Sequence, residues 1–208
     1  EISCSLVGSE MCIRDSTDVD PATGLTPYIN MQKVLKVCHD FVDNFDNTFS
    51  NLLFIGQTGV GKTFLSNCIA RALMDSCHSI IYLTAGEFFD SFKSDDFKEF
   101  GSSKFDTSFF VECDLLIIDD LGTEKASDYN FSNLFNTINE RLLRRKSIII
   151  SSNLEMPDIE TRYSQRIFSR LVSAYSILRL FGDDIRCMKK LSPVSYTHLR
   201  AHETAANL

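Results

Sequence analysis

The 208-residue chain carries a net charge of −7 and is 44% hydrophobic, which fits one globular domain that can bury a core without disulfides or metals. No apolar run approaches the roughly 20 residues of a membrane span, and no basic segment followed by an apolar one indicates a secretory signal. The acidic balance excludes a protein that holds nucleic acid by overall charge alone, although it leaves room for a local basic strip or an assembled ring.

The two ends of the chain differ in character from the middle. Residues 1–16 lack any sustained periodicity, and residues 194–208 follow a clean stop after two lysines. Both segments resemble translated sequencing-adapter read-through, with ordinary disordered termini as the alternative. We therefore expect 1–16 and 194–208 to be artefactual tails around a domain at 17–193, and we expect an N-terminal region to be missing. His198 and His202 are accordingly not predicted to be ligands.

Within this domain, short continuous apolar runs alternate with segments of helical periodicity. Helices are predicted at residues 31–42, 65–73, 85–93, 131–142 and 159–173, and strands at 51–55, 79–84, 114–119, 147–151 and 176–180. Residues 94–108 are polar and are predicted to be irregular at least in part. Because strands without polar alternation are typical of sheets covered on both faces, the sequence predicts an α/β fold. Its centre is a parallel sheet of about five strands flanked by helices.

A glycine-rich stretch, GQTGVGKT at residues 56–63, lies between the first predicted strand and the second predicted helix. It fits the pattern G-x-x-x-x-G-K-[ST], in which backbone N–H groups wrap phosphate oxygens and a helix N-terminus adds its positive dipole end. A chain of this length matches the pattern by chance at about the one-in-a-hundred level. Lys62 is predicted to reach the β- and γ-phosphates, and Thr63 to place its hydroxyl on Mg²⁺. The predicted ATP-binding residues are Gly56, Thr58, Gly59, Val60, Gly61, Lys62, Thr63 and Phe64.

Two acids follow the third predicted strand, in the run LLIIDD at residues 115–120. Strand ends in parallel sheets open onto the ligand crevice, so Asp119 is predicted to hold Mg²⁺ and Asp120 to orient or deprotonate the attacking water. An Asp-rich turn without chemistry is the alternative, and for the run by itself it is about equally good. The phosphate-binding pattern upstream favours the catalytic interpretation by about ten to one.

Three further positions can contact a phosphate. Asn153 follows the fourth strand, where its amide can touch the γ-phosphate or the attacking water, and a simple turn residue is an equally good interpretation. Arg166 and Arg170 lie four residues apart on one helix face, and a guanidinium beside a γ-phosphate stabilises transition-state charge. For an arbitrary pair of arginines a solvated helix face is favoured by about three to one.

The order of these motifs resembles that of a known family. The matching segments are 56–63, 114–123 (DLLIIDDLGT), 139–141 (NER), 148–154 (IIISSNL) and 162–171 (RYSQRIFSRL). Over residues 28–190 they resemble the DnaC/DnaI-type helicase loaders and the related IstB-type transposition helpers. The resemblance implies an AAA+ core that uses ATP and Mg²⁺. The sequence departs from fuller AAA+ proteins in its C-terminal helical lid, which we expect to be reduced or absent.

The resemblance also implies roles for single residues. Asn153 matches sensor 1, and Arg170 matches an arginine finger that acts on the ATP of a neighbouring subunit in a homo-oligomer. Arg166 is a weaker companion of that arginine. Arg186 matches a sensor-2-like position, with a surface charge as the alternative.

The sequence leaves several functions open. A helicase loader acts on a replicative DNA helicase and an IstB-like helper acts on a transposase, and the residues do not separate the two. A small-molecule P-loop kinase is disfavoured because the predicted lid region at 94–108 contains lysines but no arginine. An ATP-gated binding module without turnover is disfavoured by the intact set of Lys62, Asp119 and Asp120.

Single-stranded DNA is a further possible partner, since aromatic rings near lysines can stack on bases. Candidates for this contact are Phe97, Phe100, Phe105, Phe109 and Phe110, near Lys98 and Lys104. Packing of these rings into the core is favoured by about three to one.

The seven cysteines are odd in number and form no Cys-x-x-Cys pair. They predict reduced thiols in a cytoplasmic protein rather than disulfides or a zinc site.

Overall fold

The computed structural model describes residues 19–20, 24–93 and 108–184. Within these ranges the strands are β1 (Leu52–Ile55), β2 (Ile80–Thr84), β3 (Leu115–Leu121), β4 (Ser147–Ser152) and β5 (Ser176–Arg179). They form one sheet in the order β2-β3-β4-β1-β5, and every neighbouring pair is parallel. The predicted α/β fold with a parallel sheet of five strands is confirmed.

Helices cover both faces of this sheet. Over the described residues they are α1 (Pro27–Asp43), α2 (Lys62–Asp75), α3 (Ala85–Lys93), α4 (Phe109–Glu112), α5 (Asp128–Arg144), α6 (Met156–Arg162) and α7 (Gln165–Ala174). Leu52 and Phe54 of β1 pack with α1 and α2 on one face, whereas Leu53 and Ile55 pack with the other helices on the opposite face. Burial on both faces explains why the strands are continuously apolar. None of these helices is long and apolar enough to cross a membrane.

The prediction of a single helix at 159–173 is wrong, because the chain breaks between α6 and α7. Tyr163 and Ser164 are both extended, with φ/ψ of −101°/161° and −62°/149°. Tyr163 is buried, and its hydroxyl donates to the carboxylate of Glu124. Ile159 and Ile167 enter the same core from either side of the break, so the apolar spacing continues across it and conceals it.

At the amino edge of the sheet, the fully buried Arg141 joins several elements. Its guanidinium donates to the carbonyl oxygens of Phe110 (2.7 Å), Cys113 (3.0 Å), Asp114 (3.1 Å) and Ser147 (2.6 Å). These bonds connect α5 to α4, to the two residues that precede β3 and to the first residue of β4. The arginine of the Asn-Glu-Arg pattern is therefore a structural cross-link.

Several predictions concern residues outside the described ranges. They are the tails at 1–16 and 194–208, most of the irregular segment at 94–108, the C-terminal lid, and the side chains of Phe97, Phe100, Phe105 and Arg186. Of the two phenylalanines that are described, Phe110 is fully buried and Phe109 is 54% exposed.

Candidate functional site

The glycine-rich loop connects β1 to α2 at the carboxyl edge of the sheet. Gly56 has φ +140°, and a Cβ at this position would lie 2.0 Å from the carbonyl oxygen of Leu180, just beyond β5. Gly59 has φ +84°, and a Cβ there would lie 2.2 Å from the carboxylate of Asp184. Both positions therefore require glycine. The loop ends at Gly61, which begins α2 without a side-chain cap bond, so the first N–H groups of the helix remain available to an anion.

Lys62 lies at the centre of this loop and is only 4% exposed. Its ammonium donates to the carbonyl oxygens of Gly56 and Gln57 and to Oδ1 of Asn153, each at 2.7 Å. None of these three acceptors carries a formal charge. A phosphate oxygen can therefore replace any of them with a stronger, charge-assisted hydrogen bond.

Asp119 is held at the end of β3 by two hydroxyl groups. Tyr82 Oη donates to Oδ2 at 3.0 Å, and Ser151 Oγ donates to Oδ1. Burial and the neighbouring charge of Asp119 raise the pKa of Tyr82, so the phenol stays a donor. A carboxylate has about four lone-pair positions, so Asp119 keeps acceptor capacity for a cation.

A bulge in β3 brings the second acid to the same edge. The pairing with β4 shifts between Ile118 and Leu121, and Asp120 adopts a left-handed φ of +56°. In a regular strand consecutive side chains point to opposite faces, whereas a bulge redirects one of them. Asp120 donates its N–H to Ser151 Oγ at 2.9 Å, and its Oδ1 accepts from Asn153 Nδ2 at 3.3 Å.

One connected set of polar side chains results at this edge. Asn153 bridges Lys62 and Asp120 with the two ends of its amide, and Ser151 bridges Asp119 and the backbone of Asp120. The other predicted ATP-binding residues lie in the loop or the first turn of α2. Among them Val60 is buried, Gly59, Gly61 and Thr63 are half-buried, and Thr58 and Phe64 are exposed.

The two predicted arginines of α7 lie apart from this set. Arg170 is half-buried, donates to Asn139 Oδ1 at 3.2 Å and lies 5.8 Å from the ring centre of Phe135. Arg166 is exposed. Over the described residues, neither arginine makes a hydrogen bond or ion pair with the loop or the acids.

Tyr82 and Ser151 belong to the site, although they were not predicted. Tyr82 lies on β2, whose register places Thr84 beside Asp119, and a sequence does not show which strands are neighbours. For Ser151 a signal existed, since it stands two residues before Asn153 at the end of the same strand. The role of this serine could be predicted only if β4 were known to lie beside the strand that carries the acids.

A glycine-rich loop at the carboxyl edge of a parallel sheet, with two acids on a neighbouring strand, defines a P-loop nucleotide-binding protein of the AAA+ type. The chain belongs to the IstB-like ATP binding protein family, which it matches over residues 27–192. The resemblance to IstB-type and DnaC-type proteins is thus confirmed.

Three similar proteins illustrate the range of the family and the fold. Replicative helicase loader DnaC of Escherichia coli (strain K12) is 23% identical over 151 residues, which cover 72% of this chain and 61% of that protein. A crystal structure of the DnaC helicase loader has a TM-score of 0.64 at 22% identity and covers 74% of this chain and 91% of that one. Replication initiator DnaA bound to AMPPCP and single-stranded DNA has a TM-score of 0.61 at 20% identity, with 73% and 46% covered. The chain therefore spans about three-fifths of the length of the curated DnaC protein.

Proposed function

We propose that this protein binds ATP with Mg²⁺ at residues 56–63, hydrolyses the ATP, and serves DNA replication as a helicase loader. The observation that most supports hydrolysis is the amide of Asn153, which joins the loop cation to the second acid. Nucleotide binding alone does not need an acid and an amide that are hydrogen-bonded to each other beside Lys62. Hydrolysis needs such groups to orient and deprotonate the attacking water.

Lys62 and the first N–H groups of α2 bind the phosphates of ATP. Thr63 and Asp119 would hold Mg²⁺, which supplies electrostatic stabilisation of the phosphate oxygens when bound. The donors fit this ion, because Mg²⁺ prefers oxygen ligands and Asp119 is held in place by Tyr82 and Ser151.

Asp120 and Asn153 act on the attacking water. The carboxylate of Asp120 accepts a proton from the water or orients it, and the amide of Asn153 can turn between Lys62 and the γ-phosphate. The left-handed backbone at Asp120 supports this role, since strained conformations of non-glycine residues cluster at functional sites.

Arg170 acts on the ATP of a neighbouring subunit. The contacts with Asn139 and Phe135 hold the guanidinium of Arg170 against α5 of its own subunit, away from the glycine-rich loop of that subunit. A second copy therefore has to supply the ATP site on which Arg170 acts. Arg166, exposed one turn earlier on α7, can assist. This arrangement requires a homo-oligomer and places turnover under the control of assembly.

Turnover against protein concentration tests this proposal. Specific activity of the wild-type chain should rise with concentration, Lys62→Ala should lose ATP binding, and Arg170→Ala should keep binding while turnover falls about a thousandfold. Arg71→Ala is the matched control, because Arg71 is an exposed arginine whose ion pair with Asp75, at 3.2 Å, lies on α2. Turnover independent of both concentration and Arg170 would contradict a shared site and favour the kinase alternative.

A transposition helper, with a transposase as its partner, is the second candidate function because the matched family is IstB-like. The names of the DnaC relatives favour the loader. With ATP, the protein should increase the amount of a replicative helicase bound to closed circles of single-stranded DNA. An increase seen only for a transposase on duplex DNA would instead support the helper. The cytoplasmic location and the contact with single-stranded DNA remain predictions.

A further inference from the structure

Glu124 is a buried acid in the loop between β3 and α5, and no part of the proposed chemistry uses it. The residue is 9% exposed. Its Oε2 accepts the N–H of Gly122 at 2.8 Å, and its Oε1 accepts the hydroxyl of Tyr163 at 2.5 Å. Burying a carboxylate costs free energy unless it is paired. The presence of Glu124 with these partners therefore indicates a role in the structure.

The partners of Glu124 come from two different parts of the chain. Gly122 lies in the loop that follows β3, two residues after Asp120, whereas Arg162 ends α6 and Tyr163 begins the break before α7. Arg162 supports the contact twice, since Nη2 donates to the Glu124 carbonyl oxygen and Nε lies 3.6 Å from Oε1. Glu124 therefore fastens the loop that follows β3 to the point where α7 begins.

The Tyr163 side of this contact is rigid. The ring packs edge-on against Phe131 of α5, with ring centres 5.3 Å apart. Burial and the carboxylate of Glu124 raise the pKa of Tyr163, so its hydroxyl remains a donor. Two residues later α7 starts, and its buried Ile167 fixes one face of the helix against the core. The Glu124 contact therefore holds the chain two residues before α7 begins.

Arg170 lies in the middle of α7, at the sixth of its ten positions. A displacement at the start of this ten-residue helix moves the guanidinium, and displacements of about 1 Å in a catalytic group can cost up to a hundredfold in rate. We propose that Glu124 is a positioning residue: from its place in the loop after β3, it holds the start of α7 and so places the arginine which that subunit presents to its neighbour. This inference rests on the proposed function, in which Arg170 acts across a subunit boundary.

Mixing two inactive variants separates the arginine from the site. Asp120→Asn keeps Arg170 but lacks the acid, and Arg170→Ala keeps the acid but lacks the arginine. The asparagine keeps an oxygen for Asn153, and the loop backbone is unchanged. Random assembly of equal amounts should restore about a quarter of the wild-type rate, since one boundary in four pairs an intact arginine with an intact site.

Glu124→Gln is then introduced into one variant at a time. In the Asp120→Asn subunit, which only donates its arginine, it should lower kcat of the mixture about tenfold without changing KM for ATP. In the Arg170→Ala subunit, which only supplies the site, it should leave kcat unchanged. Tyr163→Phe, which removes one hydroxyl, should reproduce this asymmetry. Glu160→Gln, at an exposed position on α6, is the matched control and should have no effect in either subunit.

The outcomes distinguish the inference from the function on which it rests. If the reference mixture does not recover activity, the shared site is wrong and the inference falls with it. If the mixture recovers but Glu124→Gln acts equally in both subunits, or in neither, the shared site stands and Glu124 is not a positioning residue. Thermal unfolding of each variant shows whether a lost rate follows from lost fold, and an asymmetric loss at equal Tm supports the coupling.

Discussion

Two buried cations lie at opposite edges of the same sheet, and they differ in what they bind. Lys62, at the carboxyl edge, donates to two carbonyl oxygens of its own loop and to the side chain of Asn153. Arg141, at the amino edge, donates to four carbonyl oxygens, in α4, in β4 and in the segment between α4 and β3. Their exposed fractions, 4% and 0%, are almost the same.

The contrast teaches that the partners of a buried charge, rather than its burial, indicate its role. An ammonium has freely rotating donors on a flexible stem, so it can exchange a loop oxygen for a phosphate oxygen. A guanidinium is a rigid fork, and that of Arg141 is fully buried and directs its donors to four backbone carbonyls and the sulfur of Cys113, where no ligand competes for them. Lys62 is thus available to a ligand, while Arg141 holds the fold together.

Arg141→Ala is the substitution with the largest expected effect. It removes the arginine donor of four carbonyl oxygens, at three buried bonds and one part-buried bond, which should lower the free energy of unfolding by about 3–5 kcal/mol in urea denaturation. Arg141→Lys should recover only a small part, because an ammonium has three donors and no planar fork. Lys62→Ala should cost only about 1 kcal/mol, since its acceptors face the ligand site. Equal losses from Arg141→Ala and Lys62→Ala would break the contrast.

Ser151→Ala should have an intermediate effect, limited to the carboxyl edge. It removes the hydroxyl that donates to Asp119 and accepts the N–H of Asp120, so the Mg²⁺ concentration needed for half-maximal turnover should rise about tenfold. Titration of ATPase activity with Mg²⁺ measures this shift.

Ser152→Ala is the matched control for this position. Its hydroxyl donates to the Leu121 carbonyl oxygen at 2.6 Å and accepts the Leu154 N–H at 3.1 Å. It touches neither acid, so its loss should lower stability without moving the Mg²⁺ titration. A shift of the same size in both variants would mean that the strand, rather than the Ser151 hydroxyl, sets the metal affinity.

The smallest expected effect is a pH dependence at the amino edge. Asp114 accepts from Lys146 Nζ at 2.7 Å and from the hydroxyl and N–H of Ser79 at 2.7 and 3.0 Å. These bonds, the one from Lys146 foremost, hold the pKa of Asp114 well below its usual value of 3.8. The resulting stabilisation is complete above the unfolded pKa and is lost as pH falls toward the folded one.

Asp114→Asn should accordingly lower stability at neutral pH by less than about 1 kcal/mol, because the Lys146 and Asp114 side chains are 34% and 35% exposed and their pairing is screened. The difference from wild type should shrink as the pH of urea denaturation is lowered below about 4. A difference that stayed constant across this range would contradict the ionic origin. The bonds from Arg141 to backbone carbonyls do not change over this pH range. The Asp114 contacts are thus reversible with pH, whereas those of Arg141 are not.

The sequence predicted those parts of the molecule that local pattern determines. Apolar runs gave the five strands, and the glycine pattern located the loop that holds Lys62. Ser151 was missed because its role depends on β4 lying beside β3, which is a non-local pairing. The break at Tyr163 was missed because the apolar spacing of two helices continues in phase. Glu124 was missed because two of its partners, Arg162 and Tyr163, are distant in the chain.

The close approach of Gly56 to the Leu180 carbonyl affects how sequence motifs can be used to trace evolutionary relationships. A laboratory selection that scored only folded protein, with no nucleotide present, would still retain glycine at position 56, because any side chain would strike a carbonyl oxygen 2.0 Å away. Gln57 and Thr58 are exposed and would vary under the same selection. Glycine at position 56 of the glycine-rich loop is thus required by the packing of two strand ends. An evolved relative that no longer hydrolysed ATP would still retain glycine at position 56.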